Sequence, residues 1–312
     1  MKKISIVVPL FNEQDSLKEL YSELKINISN YEYEIIFIDD GSSDNSWSIL
    51  KDICKHDEKI KVIKFHNNYG KSDALSEGFS KAKGDYIITI DADLQDDPKE
   101  IKSIIKKIDE GWDLVSGWKR NRKDPLNKTL PSKLFNFITG WFTGLKIHDY
   151  NCGLKGYKKS VVKSLNLYGG LHRYIPAIAI QNGYKVTEIE VHHRPRKYGE
   201  TKYGGKRYFD GFFDLITVLF LGKYTYQPLH FFGFIGILGT TLGFFIELYV
   251  LYLKYFLGEP FQLHFALLML GILFIVIGIQ FFSIGLIGDM IVRSSPQKRD
   301  RVDIVYQKDF DK

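Results

Sequence analysis

Residues 86–97 read YIITIDADLQDD, a short apolar run that ends abruptly in a cluster of carboxylates. The apolar run predicts a buried parallel strand, and Asp91 and Asp93 follow directly at its end. Residues two apart in extended backbone point to the same side, so these two carboxylates can converge on one cation. Mg²⁺ and Mn²⁺ prefer oxygen ligands, and Gln95, two residues further on, could add a carbonyl oxygen. An Asp-x-Asp pair also arises by chance, but its position after an apolar strand favours a functional interpretation.

Strand and helix patterns alternate through the first 120 residues. Further strands are predicted at Ile4 to Leu10, Tyr33 to Ile38, Lys61 to Phe65 and Asp113 to Ser116, with helices at 16–28, from 45, at 71–82 and at 98–108. Such alternation predicts an α/β fold with a mostly parallel sheet. Ligands bind beyond the carboxyl ends of the strands in these sheets, where both acidic clusters of the sequence fall.

The second acidic cluster, Asp39-Asp40-Gly41-Ser42, follows the predicted strand at 33–38. One of its carboxylates could accept hydrogen bonds from a nucleobase or ribose, while the glycine permits a tight turn. The alternative is a helix N-cap formed by Ser43 or Asp44, and the two interpretations are compatible.

Charged residues are scarce between Pro228 and Gly288. The stretch from Phe261 to Gly288 has no Asp, Glu, Lys or Arg, and the stretch from Pro228 to Leu253 has only Glu247. Each is longer than the roughly 20 residues that cross a hydrocarbon core. Two transmembrane helices in a hairpin are therefore predicted, and two buried core helices are the alternative. Glu247 would face the partner helix, sit near the interface or mark a functional contact.

The charge around the hairpin predicts its orientation. The apolar run that follows Lys2 and Lys3 is too short for a signal peptide and has no cleavage site, so we expect the bulk of the chain not to be exported. Seven basic residues between Arg194 and Lys223 precede the hairpin and four between Arg293 and Arg301 follow it, whereas the connecting turn has Lys254 alone. The positive-inside rule then places both ends in the cytoplasm.

Cysteine spacing predicts the state of the thiols, and net charge indicates which kind of molecule the protein binds. Cys54 and Cys152 lie far apart without a CxxC pairing, so two free thiols are expected. The net charge of +6 is modest and clusters near the predicted hairpin, which indicates anionic headgroups or a lipid phosphate rather than nucleic acid. His172 is a lone histidine, which is more often structural than catalytic, and the His192-His193 pair lacks a carboxylate partner at metal-ligand spacing, so no zinc is assigned.

Two segments before the hairpin each allow two interpretations. Residues 209–221 are aromatic and apolar with flanking charges, which suits an amphipathic helix on the membrane surface or an ordinary packed helix. Residues 194–205 combine cations with glycines. They could form a mobile loop that closes over the substrates and excludes water, or a basic patch attracted to anionic lipid.

Eight short motifs together resemble a known family. They are Pro9–Glu13, Ile38–Asp44, Asn68–Lys71, Asp91–Asp96, Ser116–Arg120, Asp149–Gly153, His172–Pro176 and Lys202–Gly204. In this order they resemble the family 2 glycosyltransferases with the GT-A fold, and more narrowly the dolichol-phosphate mannose synthase and polyprenyl-phosphate glycosyltransferase branch. The resemblance covers roughly residues 3–225, and the hairpin is similar to the membrane anchor of bacterial members.

The resemblance implies an inverting, metal-dependent transfer of a hexose from a GDP- or UDP-sugar to polyprenyl phosphate of the undecaprenyl or dolichyl type. Because the acceptor phosphate is already an anion, a strong general base is less needed than for an alcohol. The implied catalytic residues are Asp91, Asp93, Asp149 and Arg120. The implied nucleotide-sugar site is Pro9, Glu13, Asp39, Asp40, Lys71, Asp91, Ala92 and Asp93. Mg²⁺ or Mn²⁺ would bind Asp91, Asp93 and Gln95. The acceptor phosphate or its loop would involve Arg122, Arg194, Arg196 and Lys202, with Lys119 as another cation beside Arg120.

Sequence and resemblance predict four segments: a cytoplasmic catalytic domain at 1–205, an interface helix at 206–225, two membrane spans within 226–290, at about 228–253 and 263–288, and a cytoplasmic tail at 291–312. The expected partners are the donor, the acceptor and membrane lipids, and a homo-oligomer is left open. One alternative function is transfer to a saccharide or another lipid. The Gln-x-x-Arg-Trp segment of processive synthases does not occur in the chain. The second alternative is a membrane-tethered nucleotide-binding scaffold, which would need no paired carboxylates.

Overall fold

The computed structural model describes residues 2–120, 136, 139–140, 144–145, 147–198, 217 and 227–294, with the backbone alone for Arg293. The chain divides into two compact units, Met1–Val218 and Leu219–Lys312. Arg122, Lys202, the predicted interface helix apart from Thr217, and the predicted tail beyond residue 294 lie outside the described residues.

The first unit alternates strands and helices as the sequence predicts. Its strands are β1 (Lys3–Leu10), β2 (Glu32–Asp39), β3 (Ile60–Lys64), β4 (Tyr86–Thr89), β5 (Leu114–Trp118), β6 (Lys155–Lys158) and β7 (Val186–Glu190). Its helices are α1 (Leu17–Ile28), α2 (Ser46–His56), α3 (Lys71–Lys81), α4 (Ile101–Asp109), α5 (Lys159–Ser164) and α6 (Ile175–Gln181), with 3₁₀ turns at Pro98–Glu100 and Leu171–Tyr174. All the elements predicted before residue 120 are present within a few residues of their expected ends.

The seven strands form one sheet in the order β3-β2-β1-β4-β6-β5-β7. β1 runs parallel to β2 and β4, β2 runs parallel to β3, and β5 runs parallel to β7. Only β6 is antiparallel to its neighbours, with Thr89 opposite Lys155. This reversal brings the start of β6 to the edge at which β1, β2, β4 and β5 end. The sheet is therefore mostly parallel, as expected, and residues just before β6 join the acidic edge.

Apolar helix faces hold the sheet in place. α1 buries Leu17, Leu20, Leu24 and Ile28, the i, i+3, i+4 spacing of a helix packed on one side. α4 buries Ile101, Ile104, Ile105 and Ile108 in the same way. Fully burying one such side chain contributes roughly 1.5–3 kcal/mol. These faces fix the strands whose ends carry the polar residues.

The second unit consists of two long helices, α7 (Pro228–Phe256) and α8 (Phe265–Ser294), joined through a 3₁₀ turn at Phe261–His264. Both are long and apolar enough to cross a membrane, and only 17% and 11% of their most apolar stretches are buried. Core helices of a soluble protein would be mostly buried, so the exposed apolar surface favours the membrane interpretation.

Glycines let the two helices pack closely. A methyl group added at Gly236 would lie 2.6 Å from the carbonyl oxygen of Gly278, and one added at Gly243 would lie 2.6 Å from that of Gly271. Small residues at such contacts are typical of helix pairs in membranes. The Glu247 side chain faces Gly271 across this contact, and its Oε1 is buried without a hydrogen-bond partner among the described residues. Of the three placements considered for Glu247, the structure shows the one facing the partner helix.

Candidate active site

Each carboxylate of the Asp-x-Asp pair after β4 contacts a different cation. The Asp91 Oδ1 lies 2.5 Å from the Lys71 Nζ, and the Asp93 Oδ2 lies 2.6 Å from an Arg196 guanidinium nitrogen. Gly153 lies against the Asp91 carboxylate, which a side chain at that position would overlap. Two carboxylates at a strand end are a suitable donor set for a hard divalent cation that shares its remaining ligands with phosphate. Within the described part of the chain, no three His, Cys, Asp or Glu side chains group as metal ligands.

The backbone after Asp93 is held in an uncommon conformation. Leu94 is buried and has a φ of 60°, a region that a leucine rarely adopts. Segment 193–194 holds this turn through its backbone. Arg194 donates its backbone N–H to the Gln95 carbonyl at 2.9 Å, and His193 forms an isolated antiparallel β-bridge with Asp96. Strain of this kind persists only where surrounding structure enforces it, and it clusters at functional sites.

Asp40 positions Lys71. Its carboxylate accepts backbone N–H groups from Tyr69 at 2.7 Å and Gly70 at 2.9 Å, directly before α3 begins. Gly70 has a φ of 100°, which favours glycine. Burial raises the pKa of Asp40 above its ordinary value in spite of these two bonds. Asp40 thus builds the turn that carries the Lys71 ammonium to Asp91.

Asp39 has one buried oxygen without a hydrogen-bond partner among the described residues. The residue is fully buried, and its Oδ1 accepts the backbone N–H of Ser42 at 2.8 Å. Its Oδ2 is buried and has no hydrogen-bond partner in the described residues. An unsatisfied buried acceptor of this kind is costly and uncommon.

The loops after β1 and β2 interlock. Asn12 donates its N–H to the Ser42 Oγ at 2.8 Å and accepts the Ser43 N–H at 2.8 Å, and Glu13 donates its N–H to the Ser46 Oγ at 3.0 Å. The helix N-cap residue is Asn45, while Asp44 accepts the Ser46 N–H at 2.9 Å just before it. These hydrogen bonds join the loops after β1 and β2 at the start of α2. They hold the Pro9–Glu13 segment beside Asp39.

Two buried lysines lie beneath the acidic pair. The Lys119 Nζ is 2.8 Å from the Asp96 Oδ1, and the Lys155 ammonium donates to the Cys152 carbonyl. Burial alone would lower the pKa of Lys119, but the carboxylates, Asp96 foremost, raise it above its ordinary value. Burial lowers the pKa of Lys155. Sequence analysis placed Lys119 only beside Arg120 and missed Lys155, although a lysine inside the apolar run GLKGY is a signal that could have identified it.

The electrostatic environment separates the two acids. Burial acts to raise the pKa of Asp91, but Lys71, Lys119 and Lys155 outweigh it and the pKa lies below its ordinary value. Burial and the neighbouring charges of Asp91 and Asp96 raise the pKa of Asp93 to about 6, in spite of Arg196. The surroundings therefore shift the pKa values of the two carboxylates in opposite directions.

Arg120 and Asp149 are placed differently from the acidic pair. The exposed Arg120 guanidinium pairs with the Glu190 Oε1 at 2.7 Å and lies over the Trp118 ring. Lys119, and not Arg120, is the cation that β5 brings to the acidic cluster. Asp149 is buried and accepts the Asn151 backbone N–H at 3.0 Å.

The segment 194–198 is fastened to α1 and to the acidic loop. The Arg194 guanidinium lies 2.8 Å from Glu23 and 2.9 Å from Asp97, and the Lys197 ammonium lies 2.7 Å from Glu19. Of the cations predicted for the acceptor loop, Arg194 therefore anchors the segment and Arg196 enters the site.

His172 lies beside the start of α3 and has a structural contact. The Ser72 Oγ is 3.0 Å from its Nδ1 and 3.1 Å from its backbone nitrogen. Burial, with the charges of Lys71 and Arg173, holds the pKa of His172 well below its ordinary value. The neutral ring supports the loop behind Lys71.

A mostly parallel sheet with one reversed strand, carrying a carboxylate pair after β4 and a second acidic turn after β2, defines a glycosyltransferase domain of the GT-A type. The chain belongs to the glycosyl transferase family 2, whose model matches residues 5–165. The family membership predicted from the motifs is thereby confirmed.

Two curated relatives match nearly the whole chain. One is the dodecaprenyl-phosphate galacturonate synthase of Rhizobium johnstonii, 34% identical over 94% of this chain and 88% of that protein. The other is the undecaprenyl-phosphate 4-deoxy-4-formamido-L-arabinose transferase of an Enterobacter species, 34% identical over 96% of this chain and 91% of that protein. Both matches extend well beyond the family model.

Solved structures agree on the fold. Glucosyl-3-phosphoglycerate synthase from Mycobacterium tuberculosis, in complex with Mn²⁺, uridine diphosphate and phosphoglyceric acid, superposes with a TM-score of 0.56. The match covers 71% of this chain and 78% of that one, at 15% identity. The same protein with Mn²⁺, UDP-glucose and phosphoglyceric acid gives a TM-score of 0.54 at 15% identity, over 71% and 79% of the two chains. At this identity the likeness concerns the fold alone.

Proposed function

We propose that the protein transfers a sugar from a nucleotide-sugar to polyprenyl phosphate, with inversion and with the help of a divalent cation. The observation that carries the proposal is the Asp91–Asp93 pair at the end of β4 in a family 2 domain, with each carboxylate already matched to a cation. The acceptor class rests on the two curated relatives, whose names specify dodecaprenyl phosphate and undecaprenyl phosphate. The apolar pair α7 and α8 suits an acceptor that resides in a membrane.

The donor would bind across the ends of β1, β2 and β4. The Asp39 Oδ2, which lacks a partner among the described residues, suits an N–H donor of a nucleobase, with Pro9 and Glu13 bordering the nucleotide. Asp40 would act through the turn that it builds, and Lys71 would face the diphosphate beside Asp91 and Ala92.

A divalent cation, Mg²⁺ or Mn²⁺, would be held by Asp91 and Asp93, with Gln95 as an additional oxygen donor. When bound, it would supply positive charge to the diphosphate leaving group. The carboxylates fit this task because both follow directly after β4 and lie near enough for the charge of Asp91 to raise the pKa of Asp93.

An oxygen of the acceptor phosphate would attack the anomeric carbon as the bond to the diphosphate breaks, which inverts the configuration at that carbon. The acceptor oxygen is anionic near neutral pH, so positioning and charge matter more than proton removal. Arg120 or Lys119, with Arg122, Arg196 and Lys202, would neutralise phosphate charge. Asp149 would lie near the acceptor, and Arg194 would hold the 194–198 segment in place.

The proposed location in the cell follows from the apolar helix pair and the basic residues that flank it. We propose that α7 and α8 form a membrane hairpin and that the catalytic unit lies in the cytoplasm, as the flanking basic residues indicate. The segment boundaries at 205, 225 and 290 belong to this proposal, as does contact of 206–225 with membrane lipids.

The proposal is tested with the purified full chain, Mg²⁺ or Mn²⁺, undecaprenyl phosphate and a panel of UDP- and GDP-sugars, measuring nucleoside diphosphate release. We expect lipid-dependent release with one donor, reduced at least about 100-fold in Asp93→Asn because a transition-state contact is lost. Asp52→Asn, an exposed acid on α2, is the matched control and should retain full activity. Lipid-independent release that a saccharide stimulates would favour the alternative acceptor and contradict the proposal.

A further inference from the structure

The Arg196 guanidinium forms an ion pair with Asp93, a carboxylate that the proposed metal ion would use. We propose that Arg196 is a resident counter-cation of the metal site, displaced when a divalent ion and a nucleoside diphosphate bind together. Metal binding would then depend on the nucleotide. This inference rests on the metal site of the proposed function and adds a residue that controls when that site fills.

Both oxygens of Asp93 are engaged in the structure. The Oδ2 lies 2.6 Å from the Arg196 Nη2, and the Oδ1 accepts the Gln95 N–H at 3.2 Å. Each oxygen has a second lone pair, but a cation that binds Asp93 would lie close to the guanidinium or the loop amide and compete with it for the same carboxylate. The amide belongs to the strained turn that contains Leu94, whose backbone pairs with the 193–194 segment. The guanidinium sits at the end of a flexible side chain and is the easier group to move.

The contacts on either side of Arg196 restrict what can move. Arg194 is fixed by its N–H bond to Gln95 and by two ion pairs, and Lys197 is fixed by the Glu19 carboxylate at 2.7 Å. The backbone before residue 196 is thus held by Arg194, and the exposed Lys197 pair adds a weaker contact after it, so we expect the exchange to involve the Arg196 side chain. Tethering keeps the displaced guanidinium within side-chain reach of the site.

The position of Lys71, the other cation of the site, is fixed differently from that of Arg196. It occupies the first turn of α3, whose start is fixed by the two Asp40 hydrogen bonds. The start of α3 therefore holds Lys71 beside Asp91. Arg196 already has a neighbour, Arg194, that anchors the segment, so holding the segment down is a task that Arg194 performs without it.

Electrostatics links the metal to the nucleotide. A dication at Asp93 competes with the guanidinium for the same carboxylate and repels it at short range. A diphosphate removes this conflict because its oxygens offer the guanidinium a bidentate partner. The metal alone should bind weakly, and the metal and nucleotide should each tighten the binding of the other.

The test measures Mn²⁺ affinity directly, from the electron paramagnetic resonance signal of free Mn²⁺, with the full chain in detergent. Each protein is titrated with Mn²⁺ alone, then in the presence of UDP and of GDP. We expect Arg196→Gln to bind Mn²⁺ alone about three- to tenfold more tightly than the unaltered protein, because it lacks the competing cation. The tightening that the nucleotide produces should shrink in the same variant, and Arg196→Lys should restore part of both effects.

The control is Lys18→Gln, which removes a cation from the exposed side of α1 and should leave both affinities unchanged. Equal Mn²⁺ affinity in the unaltered protein and in Arg196→Gln, or weaker binding in the variant, would overturn the inference and leave the proposed function intact. Absence of Mn²⁺ binding from both, with either nucleotide, would overturn the inference and the metal-dependent function together.

Discussion

At the scale of single residues, two adjacent aspartates do different work. Asp39 and Asp40 look equivalent in the sequence, which indicated only that one of them meets the nucleotide. Both oxygens of Asp40 accept hydrogen bonds from backbone N–H groups, whereas one buried oxygen of Asp39 has no partner among the described residues. The difference depends on the direction in which each side chain points at the end of β2. Sequence spacing does not predict that direction.

The same substitution at the two positions should therefore have different effects. Asp39→Asn can keep its bond to Ser42 but turns an amide donor toward the ligand, so we expect the KM for the donor to rise about tenfold with little change in stability. Asp40→Asn sets an amide donor against a backbone N–H, which should cost roughly 1–3 kcal/mol of stability and lower the thermal unfolding midpoint. Steady-state kinetics and thermal unfolding of both variants measure this. Equal effects on KM and on unfolding in the two variants would contradict the assignment.

Buried lysines mark the limit of reasoning from sequence at this scale. The carboxylate pair was predictable because an apolar strand ends directly at Asp91. Lys119 and Lys155 are buried among carboxylates and carbonyls contributed by distant parts of the chain, such as Asp96 and Cys152. Charge in a sequence normally predicts solvent exposure, so only the assembled sheet reveals their positions.

At the scale of elements, strands before residue 120 were predictable and those after it were not. β1, β2 and β4 are β-branched apolar runs followed by turn residues, so their type and ends could be read directly. β6 is four residues long, contains a glycine and two lysines, and runs against its neighbours. Its place is determined by pairing with β4 and β5, which local pattern does not encode.

The helix pair α7 and α8 supplies a prediction at this scale. Gly236→Ala places a methyl group 2.6 Å from the Gly278 carbonyl, whereas Gly239→Ala places one at 3.5 Å from its nearest atoms. We expect the first change to push the helices apart and to destabilise their pairing by roughly 1–3 kcal/mol, and the second to be close to neutral. Loss of helical circular dichroism on titration with SDS measures both variants. Matching SDS midpoints would show that close glycine packing does not hold the hairpin.

At the scale of the whole molecule, the chain couples a family 2 catalytic domain to a pair of helices suited to a membrane. Composition alone predicted the two long apolar helices, because charged residues are scarce between Pro228 and Gly288. The sugar could not be predicted, since donor choice depends on side chains around the hexose that no motif specifies. The two relatives act on different sugars by their names, which agrees with a shared acceptor class and a variable donor pocket.

The most direct test of the central claim is the mass of the lipid product. Undecaprenyl phosphate incubated with the full chain, the divalent ion and the active donor should gain one glycosyl residue, with one nucleoside diphosphate released per lipid modified. A lipid that gains a sugar phosphate with release of nucleoside monophosphate would contradict the account, because the bond broken would lie within the diphosphate. An unmodified lipid in the presence of nucleoside diphosphate release would contradict the proposed acceptor.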